Sequence, residues 1–434
     1  MEAIKKIRVV WICSVSNPMI REHLELGRPW WMKIIARCMR RGKSVNVYDS
    51  AQWNTNALNE FEKINDVELH VIFTHPWMKH WEQRFEHENI RYYAVNEGQK
   101  SLLCLLRNEM SKAEPHYEKS WEKIAYIVKE INPEIIHVMG AENPTYSLAL
   151  LYISPNIPSI VQLQTLLINP LVKQSYNNLG KQEYCEAKVL KRADYIGSKS
   201  AMFPRMIREE IGENYVFVNS RLLISEETDK SDVKKEYDFV YFSNFLNKAI
   251  DLVIEAFGIA HKRNPNVTLD IIGGATNEEI EKVKKRAEEL GCLEAITLEG
   301  KLPTHDDVKL QIKKSRFALL PLKSDLISGT IREAIAVGLP VITTITQATP
   351  TLNEKRESVL LSETGNHESL ANNMLRLINE PELAEQLKVN ATITSNEKYG
   401  TNASRAKEWV DVYKACIDNF YNNIPLPDNI LNKN

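Results

Sequence analysis

No stretch of the 434 residues approaches the ~18 consecutive apolar positions that a membrane-spanning helix needs. The apolar run near the start, Ile7–Val15, is too short for a secretory leader with a cleavage site and has the length of a buried strand. A soluble chain, or one resting on a membrane surface, is the expectation. Cysteine is sparse. The six residues (Cys13, Cys38, Cys104, Cys185, Cys292, Cys416) form no Cys-x-x-Cys pair and no disulfide framework, which fits a reducing cytoplasm and argues against a structural zinc site. Charge of one sign is also missing. With 55 basic against 57 acidic side chains, bulk electrostatics do not favour nucleic acid. There is no Asp-x-Asp motif, no histidine spacing suited to a metal and no internal repeat.

What is present is alternation. In the first half, Ile7–Cys13, Val45–Tyr48, Leu69–Phe73, Ile135–Val138, Ser159–Leu163 and Tyr195–Gly197 read as strands. Helix-like runs at Trp30–Arg41, His116–Ile131 and Gln182–Arg192 fall between them. In the second half the strands are Phe239–Phe242, Thr268–Ile272, Ala295–Leu298, Phe317–Leu320, Val341–Thr343 and Val359–Leu361. Helix 249–262 places Ile250, Val253, Ile254 and Phe257 on one face, and helix 278–290 does the same with Ile280, Val283, Ala287 and Leu290. Near-continuous apolar strands separated by amphipathic helices are the signature of parallel sheets with crossover helices. A charged, apolar-poor stretch, residues 225–236, breaks the pattern and reads as a linker. The division expected is therefore a first domain over 1–224, a second over 237–402, and a returning helix and tail over 403–434. The last helix carries Trp409, Tyr413, Cys416, Ile417 and Phe420 on one stripe.

Chemistry concentrates in Phe317–Val341. A buried strand ends at Pro321, a polar loop follows, and a helix opens at about Thr330 behind Ser328-Gly329; Gly338-Leu339-Pro340 then stops it. A helix start leaves N–H groups without partners and carries roughly half a positive charge, so it suits an anion. Gly329 brings no Cβ to obstruct close approach. Asp325 and Glu333 flank the loop. Two readings of Glu333 are open: a ligand-binding carboxylate, or the second half of a capping box with Thr330.

These residues resemble the retaining glycosyltransferases of the large glycosyl transferases group 1 family, with the GT-B fold. The mark is an acid, seven positions and a Glu, then Ala and Gly-x-Pro-Val. Here it reads Asp325-x7-Glu333-Ala334, then Gly338-Leu339-Pro340-Val341. The resemblance implies that Glu333 holds a nucleotide ribose, that the N–H groups of Gly329, Thr330 and Ile331, beside Ser328, hold the diphosphate, and that Asp325 touches the donor sugar as a catalytic residue. Asp325 stands where the family usually has Glu. Further matches are Asp270-Ile-Ile-Gly273-Gly274, the strand ending in Gly, and Gly300-Lys301-Leu302, the turn near the base. Lys248 corresponds to a lysine that contacts donor phosphate. The family's Arg five residues earlier is replaced by Ser243, and Lys323 or Arg332 is the candidate substitute for its charge. In the first half Gln164 stands where many members have an active-site His. His137 reads as a buried strand histidine, and Glu142, past the strand end, as the acceptor-side catalytic candidate.

The resemblance thus implies two Rossmann-like α/β domains facing across a cleft, with the C-terminal helix crossing back to the first. The activity implied is transfer of a sugar, with retention, from a nucleotide-diphosphate donor such as a UDP- or GDP-sugar to a glycan or lipid-linked acceptor. It implies no cofactor and no metal, since helix N–H groups and Lys248 would stabilise the departing diphosphate. Surface polysaccharide or glycan biosynthesis, in the cytoplasm or at the inner membrane face, is the family's commonest setting. Alternatives on the same fold are a nucleotide-sugar epimerase, a sugar phosphorylase or a non-catalytic partner protein. The basic helix Trp30–Arg41 has two readings, a sheet-covering helix and a contact with an acidic membrane surface.

Overall fold

The structure is a computed structural model that describes residues 6–27, 49–98, 106–108, 110–168, 179–198, 202–212, 214–223, 233–243, 249–323 and 327–432. The expected helix Trp30–Arg41, the expected strand Val45–Tyr48, most of the stretch 225–236, Lys248 and Asp325 lie outside the described residues. The chain divides into two compact units, residues 1–223 with 402–434, and residues 224–401.

The first unit is built on eight strands: β1 (Ile7–Cys13), β2 (Val67–His75), β3 (Glu82–His87), β4 (Ile90–Asn96), β5 (Ile135–Met139), β6 (Ser159–Gln162), β7 (Tyr195–Gly197) and β8 (Val216–Val218). Their order in the sheet is β3-β4-β2-β1-β5-β6-β7-β8, and only the β3–β4 pair is antiparallel. β1 is central. It pairs with β2 over Ile7–Cys13 and with β5 over Val9–Ile12, and Val9 to Cys13 are fully buried. A strand covered on both faces must be apolar at every position, which is why its sequence does not alternate.

The helix Asn402–Asn422 belongs to this first unit. Trp409, Tyr413 and Cys416 are buried in the same core cluster as Trp11 and Phe61. The ring of Trp409 meets that of Trp11 at 5.5 Å, edge-on, and its indole N–H donates to the Arg221 carbonyl at 3.0 Å. The Trp11 indole N–H, which can only donate, reaches the Tyr413 oxygen at 2.9 Å. Tyr413 is then left to donate its own proton to Nδ1 of His137, 2.7 Å away. His137 is a buried, hydrogen-bonded strand residue, and burial pushes its pKa down to about 3. It is a neutral part of the core.

The second unit carries β9 (Tyr237–Phe242), β10 (Leu269–Ile272), β11 (Ile296–Gly300), β12 (Ser315–Leu319), β13 (Val341–Thr344) and β14 (Leu360–Ser362). All pairs are parallel, in the order β11-β10-β9-β12-β13-β14. Counted from β9, that is 3-2-1-4-5-6, the doubly wound Rossmann order. The chain winds outward one way from β9 through β11, then restarts at β12 and winds the other way. In this order the crossover helices diverge between β9 and β12, and sheets of this kind bind ligands past the strand ends at that point. The last residues of the charged stretch are tied to this unit: the Glu236 N–H donates to the Lys314 carbonyl at 2.7 Å.

Candidate functional site

At this switch point β12 leads into the helix Gly329–Ala336. The helix forms where it does for three reasons. Ile331, Ala334 and Ile335 are its buried side chains and join the core of the second unit. Ser328 caps it, with extended backbone and its Oγ accepting from the Ile331 N–H at 3.4 Å. Gly338, at φ +79, ends it in the left-handed conformation that glycine adopts without penalty, and Pro340 follows. The helix thus opens one residue earlier than expected. With Ser328 as cap, the third helical position is Ile331, so Thr330 and Glu333 do not form a capping box. The two complete boxes nearby, Thr276 with Glu279 and Thr304 with Asp307, show the spacing that Glu333 lacks.

The cap also divides the N–H groups. That of Ile331 is spent on Ser328, so its assignment to a diphosphate does not fit this geometry. Those of Gly329 and Thr330 have no acceptor among the described residues. Gly329 is exposed, and a Cβ built there would meet nothing within 4 Å. The Thr330 hydroxyl lies 2.8 Å from Ser328 Oγ. Among the described residues, a positive helix end with unpaired donors and open space beside it suits an anion.

Glu333 sits on the second turn of this helix, its side chain only 20% exposed and its Oε1 3.7 Å from Nε2 of His305. Burial lifts its carboxyl to about 7, against the pull of Lys309. His305 and Lys309 both come from the helix His305–Lys313, whose start is fixed by the Thr304–Asp307 box. His305 was not singled out from the sequence. The signal was available in the Thr-x-x-Asp box directly after the Gly300 turn, which puts residue 305 at the first helical position.

The strand ends beside it complete the site. The Gly273 N–H donates to the Gly300 carbonyl at 2.8 Å, so the two glycine turns after β10 and β11 touch. Gly300 takes φ +72. Lys301 is exposed and Leu302 half-buried against the core; partial burial lowers the Lys301 pKa. The two cations proposed to replace the missing arginine are engaged elsewhere. Lys323 pairs with Asp251 at 2.8 Å, and the Arg332 guanidinium lies 5.0 Å over the Tyr399 ring.

In the first unit, Gly140 and Glu142 follow β5, next to β1, where that sheet changes winding direction. Gly140 has φ +101, and Gln164 Nε2, Glu142 Oε2 and the Tyr146 hydroxyl crowd the place where a Cβ would stand, at 3.1, 3.3 and 3.3 Å. The Glu142 carboxyl is raised in pKa by burial, opposed by its own and the Ala141 N–H. Its Oε2 has no partner among the described residues.

Comparison with known proteins agrees with this geometry. The glycosyl transferases group 1 family matches residues 224–394, the span that carries the Ser328-capped helix and Glu333. Over these residues the chain is similar to that family. An uncharacterized glycosyltransferase of Haemophilus influenzae is 28% identical over 157 residues, 36% of this chain and 43% of the relative. The GtfA subunit of the UDP-N-acetylglucosamine–peptide N-acetylglucosaminyltransferase of Streptococcus gordonii is 31% identical over 116 residues, 26% of this chain and 22% of the relative. The chain therefore spans less than half the length of either curated relative. Among solved structures, sucrose-phosphate synthase from Thermosynechococcus elongatus matches with a TM-score of 0.66 at 14% identity, covering 94% of this chain and 98% of that one. Anabaena HepE in complex with UDP and glucose matches at 0.63 and 12% identity, covering 94% and 99%. At such identities the likeness is one of fold, and the fold is GT-B, with two Rossmann-like α/β units. No helix among the described residues is long and apolar enough to cross a membrane.

Proposed function

We propose that this chain is a glycosyltransferase that takes a sugar from a nucleotide-diphosphate donor bound at the β9–β12 switch point of its second unit. The acceptor is a glycan or a lipid-linked glycan, and the anomeric configuration is retained. The observation that carries the reading is the open helix start at Ser328-Gly329-Thr330 with the half-buried Glu333 carboxylate one turn further on. The group 1 match over the same residues supports it. HepE, which shares the fold, was solved with UDP and glucose.

In this reading the N–H groups of Gly329 and Thr330 and the helix dipole receive the diphosphate and stabilise it as the glycosidic bond breaks. Glu333 accepts the two ribose hydroxyls. The Gly273, Lys301 and Leu302 turns border the nucleoside. Lys248 adds a cation at the phosphate, and Asp325 contacts the donor sugar. With these groups carrying the leaving charge, turnover needs no metal ion. Glu142 serves the acceptor as a buried carboxyl with an unused oxygen. Surface glycan assembly, in the cytoplasm or at the inner membrane face, is the setting proposed.

A panel of UDP-, GDP-, ADP-, CDP- and dTDP-sugars tested for thermal stabilisation checks the donor assignment. One base is expected to stand out, since a specific ligand at 100 times its Kd stabilises by about 2.7 kcal/mol. No shift with any member would remove the basis for a donor site.

A further inference from the structure

Glu333 carries the nucleotide in the reading above, yet its environment opposes the charge it needs. Burial holds its carboxyl at about 7, so near neutral pH it is ionised only in part. His305 and Lys309 face it from the helix His305–Lys313, and Arg332, its neighbour on its own helix, is turned over the Tyr399 ring. Of these, His305 is in direct contact. Its Nε2 stands 3.7 Å from Glu333 Oε1, and the side chains are 14% and 20% exposed. His305 stands at the first position of a helix whose start is fixed by a complete capping box, which places its Cα and Cβ beside Glu333.

We propose that His305 is a positioning residue of the nucleoside site, orienting the Glu333 carboxylate and supporting its charge so that it can accept the ribose hydroxyls. This rests on the reading of Glu333 as the ribose ligand. When a nucleotide binds, two hydroxyl donors arrive at the carboxylate and favour its ionised form. A ring N–H on the same group closes its hydrogen-bond set, and the contact tightens from 3.7 Å to a charge-assisted bond. His305 does not touch the reacting atoms. It acts on donor affinity and on the pH at which that affinity develops.

The test is a double-mutant cycle on the full chain with UMP, UDP and the best nucleotide sugar of the panel, read by calorimetry and steady-state kinetics. His305→Ala is expected to weaken nucleotide-sugar binding about 10-fold at pH 7, with KM raised and kcat nearly unchanged. It should also shift the midpoint of the affinity–pH profile upward; the diphosphate of a nucleotide sugar does not itself titrate in that range. His305→Gln, which keeps a donor on a side chain of similar reach, should recover part of the loss and guards against a folding artefact. In a Glu333→Gln background, His305→Ala should have little further effect. Losses that add in the double variant, or a lower melting temperature with unchanged affinity, would overturn the proposal while leaving the ribose reading intact. If Glu333→Gln alone leaves affinity unchanged, the ribose reading fails and this proposal with it.

Discussion

Glu333 is a buried carboxyl whose ionisation costs stability. Its carboxyl titrates at about 7 in the folded chain against an ordinary 4.5. Between those values the native state binds more protons than the unfolded chain, so stability falls as pH rises through that window and levels off above about 7. Glu333→Gln removes the ionisation. At pH 8 the variant should be more stable than its parent by about 1–3 kcal/mol, one pKa unit being about 1.4 kcal/mol, and the two should converge near pH 4.5. The same substitution should weaken nucleotide binding by roughly 10- to 150-fold, because Gln lacks the charge and part of the acceptor capacity. Chemical denaturation across pH, paired with calorimetry, checks both halves. A loss of stability at pH 8 with unchanged affinity would mean that Glu333 is a structural residue.

At the scale of elements, the helix Gly329–Ala336 depends on its cap, and its open end is free for a ligand. Ser328→Ala removes the bond to the Ile331 N–H and should cost about 1 kcal/mol. Gly329→Ala should cost no stability, because its φ is not positive, a Cβ there meets nothing within 4 Å, and alanine favours the helix. Nucleotide affinity should nonetheless drop, since that Cβ would stand where the diphosphate comes close. Scanning calorimetry and nucleotide titration of the two variants separate cap from site, and full nucleotide affinity in Gly329→Ala would move the anion elsewhere.

These elements were unevenly legible. The strands around both switch points announce themselves as apolar runs ended by Gly, Pro or Asn, and the Asp325-to-Glu333 spacing pointed to the loop before the helix Gly329–Ala336. The helix start was misplaced by one residue because Ser328 and Thr330 are both good caps. Tertiary packing decides between them, burying Ile331 at the third position. The hairpin of β3 and β4 was missed. β3 is a polar edge strand, Glu-Gln-Arg-Phe-Glu-His, and its two-residue turn uses Glu88 and Asn89, both at positive φ (46° and 65°), where the common signals are Asn-Gly and Asp-Gly. His305 stayed hidden because its role depends on which helix lies across from Glu333, and sequence spacing does not record that.

Across the whole molecule, parallel pairing hides sheet order from the sequence. Neighbours such as β9 and β12 are joined only through the intervening strands and helices, so the 3-2-1-4-5-6 arrangement, which positions the switch point, had to be seen in the fold. The return of the last helix was an expectation of the family resemblance, and its stripe of Trp409, Tyr413 and Cys416 is buried in the first unit. It fills the core beside Trp11 and makes the first unit discontinuous in sequence.

The central claim, that this fold moves a sugar from a nucleotide donor to an acceptor, is tested most directly by proton NMR of the full chain. The chain is incubated with the nucleotide sugar that stabilises it best and a set of glycan and lipid-linked acceptors, with and without EDTA. The account predicts that nucleoside diphosphate accumulates only with an acceptor present, equally in EDTA, and that the product's anomeric coupling matches that of the donor. Conversion of the nucleotide sugar with no acceptor present, or release that requires added Mg²⁺ or Mn²⁺, would contradict it.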